Sequence, residues 1–153
     1  MAQLKEGDQA PAFTSKDQNG NSISLEQFKG KKVVLYFYPK DSTPGCTAEA
    51  CDFRDNYQSL AAKGIEVLGV SIDDEKSHQK FITKHSLPFT LVADTGKQIV
   101  EAYGVWGEKS MYGKKYMGTN RTTFVIDEEG TIRHIITKVD TKSPTAQVLE
   151  LIK

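Results

Sequence analysis

Residues 33–72 read VVLYFYPKDSTPGCTAEACDFRDNYQSLAAKGIEVLGVSI, and this stretch decides the fold. Its two ends, 33–38 and 65–72, are apolar, β-branched or aromatic without strict alternation, which is typical of strands buried on both faces. The segment between them, 44–63, has helical periodicity and stops at Gly64, a residue type that commonly ends helices. A strand, a helix and a second strand of these lengths predict a βαβ unit with parallel strands.

The remaining chain continues the alternation of strands and helices. The predicted elements are an N-terminal hairpin with strands at 12–14 and 22–24 around Asn19-Gly20, a helix over 75–85, a strand over 89–93, one or two helical turns over 98–103, a hairpin of 122–126 with 131–136, and a last helix beginning at Ser143-Pro144. This order predicts an α/β protein with a thioredoxin-like fold, in which helices flank a central mixed β-sheet. We expect one domain over residues 1–153, since no linker, repeat or low-complexity stretch divides the chain.

The overall charge is balanced, because 20 Lys and Arg residues face 20 Asp and Glu residues in a chain of 153. A nucleic-acid-binding or membrane-surface protein usually has a basic excess, so neither partner is expected. The longest apolar run, 33–38, is too short to cross a bilayer, and the polar N-terminus lacks the apolar segment of a secretory signal. The expected location is the cytoplasm.

The chain has only two cysteines, Cys46 and Cys51. Two are too few for a secreted disulfide framework. The three histidines lie at no ligand spacing, which argues against a zinc site. From composition alone, an inert buried pair and a reactive pair both remain open.

The position of Cys46 favours the reactive alternative. Thr43 suits the N-cap of the predicted helix and Pro44 its first position, which places Cys46 in the first turn. Free backbone amides and the positive end of the helix dipole stabilise an anion there, and thiolates at helix N-termini are reactive. Helical periodicity puts Cys46 on one face with Ala50 and Phe53, so we expect a sheltered pocket.

Cys51 lies elsewhere on the same helix. It is rotated by roughly 140° from Cys46 and displaced by about 7.5 Å along the axis. The two Cα atoms would be about 8 to 9 Å apart, beyond the roughly 7 Å limit for a disulfide. The pair therefore cannot bond while the helix is intact, unlike the cysteines of a C-x-x-C motif.

The motif Pro39-x-x-x-Thr43-x-x-Cys46 resembles the active-site signature of the peroxiredoxins. The surrounding run 39–55 is similar to the bacterioferritin-comigratory, or Q-type, subgroup, and the likeness continues through 104–109 and 118–127. The resemblance covers essentially the whole chain.

The resemblance implies a role for each of five residues. Cys46 would be the peroxidatic nucleophile, and Thr43 would hydrogen-bond the peroxide and help to hold the thiolate. Pro39 would shield the pocket from water, and Arg121 would place a permanent positive charge against Cys46. Glu49 would orient this arginine, the alternative being a solvated carboxylate on the helix surface.

The implied activity is a thioredoxin-dependent thiol peroxidase that serves antioxidant defence and cell redox homeostasis. Hydrogen peroxide or an organic hydroperoxide would oxidise Cys46 to a sulfenic acid. Cys51 would then close an intramolecular disulfide, and thioredoxin would reduce it by exchange. No haem, flavin or metal cofactor is expected. A monomer is expected, because the resolving cysteine lies in the same chain and no extension follows Lys153.

Two rival functions share a reactive Cys46. The first is a peroxide-sensing redox switch or interaction module without sustained turnover, and the second is a thiol–disulfide oxidoreductase. Two further expectations concern structure. The aromatic and methionine-rich loop over 106–117 is expected to pack over the core rather than line an entrance for bulky peroxides, and His78 and His85 are expected to be exposed on a polar helix.

Overall fold

The computed structural model describes residues 4–152. The strands are β1 Thr14–Asp17, β2 Ser22–Ser24, β3 Lys32–Phe37, β4 Ile65–Ser71, β5 Thr90–Ala93, β6 Trp106–Met111, β7 Lys114–Thr119, β8 Thr122–Ile126 and β9 Ile132–Ile136. The helices are α1 Pro44–Asp55, α2 Tyr57–Ala62, α3 Glu75–His85, α4 Gln98–Ala102 and α5 Pro144–Leu151, with a 3-10 turn at Leu25–Phe28. No helix within residues 4–152 is long and apolar enough to span a membrane.

Seven strands form a mixed sheet in the order β2-β1-β5-β4-β3-β8-β9. The pairs β3–β4 and β4–β5 are parallel, whereas β8 is antiparallel to both β3 and β9. The predicted βαβ unit, the C-terminal hairpin and the thioredoxin-like mixed sheet are therefore confirmed. In the N-terminal hairpin the first strand is Thr14–Asp17, later than the predicted 12–14, because the Asp17 carboxylate accepts the backbone N–H groups of Asn19 and Asn21 and so closes the turn at the end of β1.

Two hydrophobic cores lie on opposite faces of the sheet, and β3 contributes to both. Val33, Leu35 and Phe37 belong to one core, whereas Val34 and Tyr36 belong to the other. This division follows from the alternation of side chains along a strand. The second core also contains the buried face of α1, including Cys46.

The helix predicted over 44–63 is interrupted at Asn56, so two helices replace it. The Asn56 side chain donates to the carbonyl oxygen of Asp52 at 2.8 Å, and its backbone N–H reaches both the Asp52 and Phe53 carbonyls. A short amide side chain competes in this way with the helical backbone pattern. The apolar face survives the break, because Leu60 on α2 is fully buried.

Trp106, at the start of the segment 106–117, packs against the core, but residues 112–117 are exposed, so the expected packing over the core is wrong for that part. Strands β6 and β7 pair with each other as a separate two-stranded ribbon. Its turn places Tyr112 and Gly113 in the left-handed region, and Tyr112 is 97% exposed. Both strands consist mostly of glycine and of polar or charged residues, and the adjacent Tyr116 and Met117 point to opposite faces, so the ribbon has no continuous apolar face to bury.

His78 is completely buried, so its predicted exposure is also wrong. It lies on α3 three residues before Phe81, and both side chains face inwards. One ring nitrogen of His78 faces the Asp41 carboxylate at 2.7 Å and the other faces the Val92 carbonyl oxygen at 3.0 Å. These acceptors allow a polar ring to be buried, which the polar composition of α3 does not reveal. His85, at the end of α3, is half-buried.

Candidate active site

The site begins where β3 ends and the chain turns into α1. Tyr38 is fully buried, Pro39 is half-buried, and Ser42 adopts a left-handed backbone with φ of 64°. Thr43 then occupies the N-cap of α1 with extended backbone angles, and Pro44 is the first helical residue. The predicted start of the helix is confirmed.

The hydroxyl of Thr43 does not cap the helix. It donates to the Lys40 carbonyl oxygen at 2.9 Å, a bond within the loop that precedes α1. The first amides of α1 consequently keep their electropositive character, because they have no partner within the helix. Cys46 lies in this first turn and is only 1% exposed. Its predicted sheltered position is confirmed.

Arg121 lies directly before β8, the antiparallel neighbour of β3. Because Thr122 pairs with Phe37, Arg121 reaches the end of β3 where α1 begins. Its Nη2 donates to Cys46 Sγ at 3.2 Å. Gly45 allows this approach, since a Cβ there would lie 3.3 Å from Arg121 Nη2.

Glu49 completes the group from the next turn of α1. Its Oε1 accepts from Arg121 Nη1 at 2.7 Å, and its side chain is entirely buried, whereas that of Arg121 is 22% exposed. The alternative of a solvated surface carboxylate is therefore wrong for Glu49. One planar guanidinium bridges the sulfur and the carboxylate, a geometry that the point charge of lysine does not reproduce.

The electrostatics of this group follow from its burial. Burial raises the pKa of Glu49 to about 7, and Arg121 only partly opposes that effect. Burial alone would lower the pKa of Arg121, but Cys46 and Glu49 raise it above its ordinary value. Burial also raises the pKa of Tyr36, a β3 residue on the same side of the sheet, and the nearby Glu49 and Cys46 add to the increase.

A buried polar network, which the sequence analysis missed, holds the loop between Pro39 and Thr43. Asp41 is 5% exposed and accepts from the Tyr38 hydroxyl at 2.6 Å and from the Ser77 hydroxyl at 2.8 Å. It also pairs with His78. The spacing of His78 and Phe81 on α3 would have indicated that this histidine faces the core.

Cys51 is half-buried on α1, and both cysteines are free. The helix is continuous between them. Two polar contacts made by residues just after Cys51 hold this part of the helix. Asp52 Oδ1 accepts the backbone N–H of Thr145 at 3.0 Å and so caps α5, while Arg54 Nη1 donates to the His85 carbonyl oxygen at 2.8 Å.

Comparison with known proteins identifies the family. The model of the AhpC/TSA family matches residues 6–135. Peroxiredoxin Bcp of Bacillus subtilis is 46% identical over 147 residues, covering 96% of this chain and 94% of that protein. The chain is a peroxiredoxin of the AhpC/TSA family.

Further relatives place this peroxiredoxin beside the Bcp and Q types. Peroxiredoxin Bcp of Escherichia coli K12 is 44% identical over 153 residues, covering 100% of this chain and 98% of that protein. A solved structure of a cysteine variant of Xanthomonas campestris peroxiredoxin Q is 37% identical, with a TM-score of 0.86, covering 92% of this chain and 89% of that one. The predicted family and fold are confirmed, and the protein is an oxidoreductase of the peroxidase class with peroxide substrates and a thiol reductant.

Proposed function

We propose that Cys46 is the peroxidatic nucleophile of this peroxiredoxin and that Cys51 resolves its oxidised form within the same chain. One observation carries the proposal, namely the 3.2 Å contact between Arg121 Nη2 and the buried Cys46 Sγ at the start of α1. A fixed cation and free helix amides favour the thiolate, which is the attacking species. Arg121 also offers a donor to the oxygen on which negative charge develops.

The neighbouring residues support further roles in the same step. Thr43 would turn its hydroxyl from the Lys40 carbonyl to the bound peroxide, a short movement for a group at the mouth of the helix. Pro39, with no N–H to offer water, would shield the pocket beside it. Glu49 would fix the guanidinium of Arg121 through its bond to Nη1.

Alkyl hydroperoxides are proposed as substrates alongside hydrogen peroxide. A solved structure of the Xanthomonas campestris bacterioferritin comigratory protein, 37% identical with a TM-score of 0.84, is described by its alkyl peroxide reduction activity. Thioredoxin is the proposed reductant. We further propose that residues 1–153 form one domain, that it acts as a monomer because both cysteines lie on α1, and that it works in the cytoplasm.

Steady-state peroxide consumption coupled to thioredoxin and thioredoxin reductase tests this function. The wild-type protein should turn over many times, and Cys46→Ser should abolish turnover. A wild-type protein that reacts once per chain would instead be a redox switch, and one that reduces protein disulfides without peroxide would be an oxidoreductase. Mass spectrometry after one equivalent of peroxide should find a Cys46–Cys51 disulfide within one chain, and an interchain disulfide would contradict the monomer.

A further inference from the structure

The group formed by Cys46, Arg121 and Glu49 contains one cation, the guanidinium of Arg121, and two acidic groups, the Cys46 thiol and the Glu49 carboxyl. Arg121 donates to Cys46 Sγ through Nη2 and to Glu49 Oε1 through Nη1. With a thiolate and a carboxylate together, the group would have a net charge of minus one in a site where both acids are buried. An uncompensated buried charge is strongly unfavourable, so one of the acids is expected to keep a proton.

The second carboxyl oxygen of Glu49 indicates that Glu49, rather than Cys46, keeps the proton. Oε2 is inaccessible to solvent and has no hydrogen-bond partner among residues 4–152, although Oε1 is bonded to Arg121. A carboxylate with one buried oxygen that accepts no hydrogen bond is poorly stabilised, which favours the neutral carboxyl. Orienting Arg121 requires only Oε1, so that role leaves Oε2 unexplained.

Within residues 4–152, the titratable groups that act on Glu49 do not include a second cation. Arg121 faces it from the residue before β8, Cys46 lies one turn earlier on α1, and Tyr36 acts on the same group from β3. The hydroxyl of Tyr36 is also buried without a partner in residues 4–152, and burial raises the pKa of Tyr36 far above neutrality. Asp41 adds negative charge near Tyr36. Arg121 therefore has to serve both acids.

We propose that Glu49 is protonated while Cys46 is a thiolate and loses this proton as Cys46 is oxidised to the neutral sulfenic acid. This inference rests on the proposed function of Cys46. It gives Glu49 a second task, which is charge compensation, beyond orienting Arg121.

The step balances in atoms and charge. Cys46 Sγ attacks the terminal peroxide oxygen, an S–O bond forms, the O–O bond breaks, and sulfur loses two electrons to the peroxide. The transferred oxygen keeps its own hydrogen, so Cys46 becomes a neutral sulfenic acid. The other oxygen leaves as an alkoxide or hydroxide and takes a proton from water, which yields an alcohol or water, and Glu49 returns one proton to the solvent. Arg121 then faces the Glu49 carboxylate in place of the thiolate, and the group is neutral before and after the reaction.

The pH dependence has a definite sign. Burial raises the pKa of Glu49 to about 7, so the proton is present below neutrality and is lost as the pH rises. Above pH 7 the Glu49 carboxylate competes with the Cys46 thiolate for Arg121, so the rate of Cys46 oxidation falls. Glu49→Gln keeps an oxygen for Arg121 Nη1 but is neutral at every pH, which makes it the matched control.

The first experiment measures the rate of Cys46 oxidation from pH 6 to pH 8 in the wild type and in Glu49→Gln. The ratio of the two rates removes the effects that are common to both proteins and so isolates Glu49. That ratio, wild type over variant, should fall about tenfold across this range for a single ionisation at a pKa of about 7. A constant ratio, with Glu49→Gln slower by the same factor throughout, would overturn the proposal and leave only an orienting role.

The second experiment leaves Glu49 unchanged. Cys51→Ser arrests the reaction at the Cys46 sulfenic acid, and infrared difference spectra at pH 7, near the pKa of Glu49, should show a decrease of a protonated-carboxyl band on addition of one equivalent of hydrogen peroxide. The same band should be missing from the double variant that also carries Glu49→Gln. Mass spectrometry of the same samples separates the two failures. If Cys46 is not oxidised, the proposed function fails, whereas oxidation without loss of the band refutes only the role of Glu49.

Discussion

Replacement of His78 tests whether its buried hydrogen bond to Asp41 holds the active-site loop. His78 Nδ1 lies 2.7 Å from Asp41 Oδ2, and the two side chains are 0% and 2% exposed. The second ring nitrogen donates to the Val92 carbonyl oxygen. His78→Leu fills a similar volume but removes both hydrogen bonds, and it leaves the Asp41 carboxylate buried with only Tyr38 and Ser77 as side-chain donors.

The size of the effect follows from this geometry. Breaking a buried pair by removing one partner typically costs about 3 to 5 kcal/mol. The two remaining donors to Asp41 place the loss at the lower end, about 3 kcal/mol. For a chain of 153 residues this corresponds to a fall in Tm of about 6 to 12 °C.

Thermal and urea unfolding measure the loss, and His85→Leu is the control. It makes the same change on the same helix at a half-buried ring that packs edge-on against Phe81. The double variant with Asp41→Asn should lose less than the sum of the single variants, with a coupling energy of at least about 1 kcal/mol. A His78→Leu protein within about 1 kcal/mol of wild type, or strictly additive effects, would refute the reasoning.

The same substitution should also slow the chemistry. Asp41 lies in the loop between Pro39 and Thr43. If this loop loosens, the hydroxyl of Thr43 at the N-terminus of α1 is misplaced. Stopped-flow oxidation of Cys46, measured below the unfolding transition, should show a lower rate for His78→Leu. A loop held equally well without this hydrogen bond would give the wild-type rate in this assay.

Three further predictions concern α1 and its charge partner. Arg121→Lys should lower the rate of Cys46 oxidation about 10² to 10³-fold in a stopped-flow assay, since an ammonium group cannot bridge the Cys46 sulfur and the Glu49 carboxylate. A near-normal rate would contradict the bridging role of the guanidinium group. Cys51→Ser should retain one oxidation per chain by mass spectrometry but lose thioredoxin-supported turnover, and sustained turnover would mean that another thiol resolves Cys46. Asp52→Ala removes the cap of α5 and should lower the free energy of unfolding in urea by about 1 kcal/mol, whereas Asp52→Asn keeps an oxygen acceptor and should not. Equal stabilities would exclude Asp52 as a tether between α1 and α5.

Local patterns were sufficient to predict the sheet and the placement of Cys46. The continuous apolar run of β3 and the Thr43-Pro44 start of α1 are determined by residues close together in sequence. The break at Asn56 was missed because a side-chain hydrogen bond to Asp52 outweighs periodicity that continues on both sides. The ribbon of β6 and β7 was missed because its aromatic content suggested burial, whereas the two strands pair with each other, and Trp106 packs against the core while Tyr112 and Tyr116 are exposed.

The contacts that shape the site join residues far apart in the chain. Arg121 is 75 residues from Cys46, and its role was expected only through the family resemblance. His78 and Asp41 are separated by 37 residues, and neither sequence neighbourhood indicates the other. A polar residue on a polar helix is ordinarily solvated, and it is buried here only because complementary acceptors meet it at that depth.

The contacts of α1 suggest why oxidation and unwinding follow one another in the proposed cycle. Asp52 and Arg54 hold the helix near Cys51 through hydrogen bonds to α5 and α3, which oxidation leaves unchanged. The first turn is held differently, because Arg121 attracts the Cys46 thiolate. A neutral sulfenic acid loses most of that attraction, and an ionised Glu49 keeps the guanidinium. Oxidation therefore weakens the contact between Arg121 and Cys46, in a turn that also contains the poor helix former Gly45. We expect the first turn to unwind and carry Cys46 towards Cys51, while the half of α1 that bears Cys51 stays anchored.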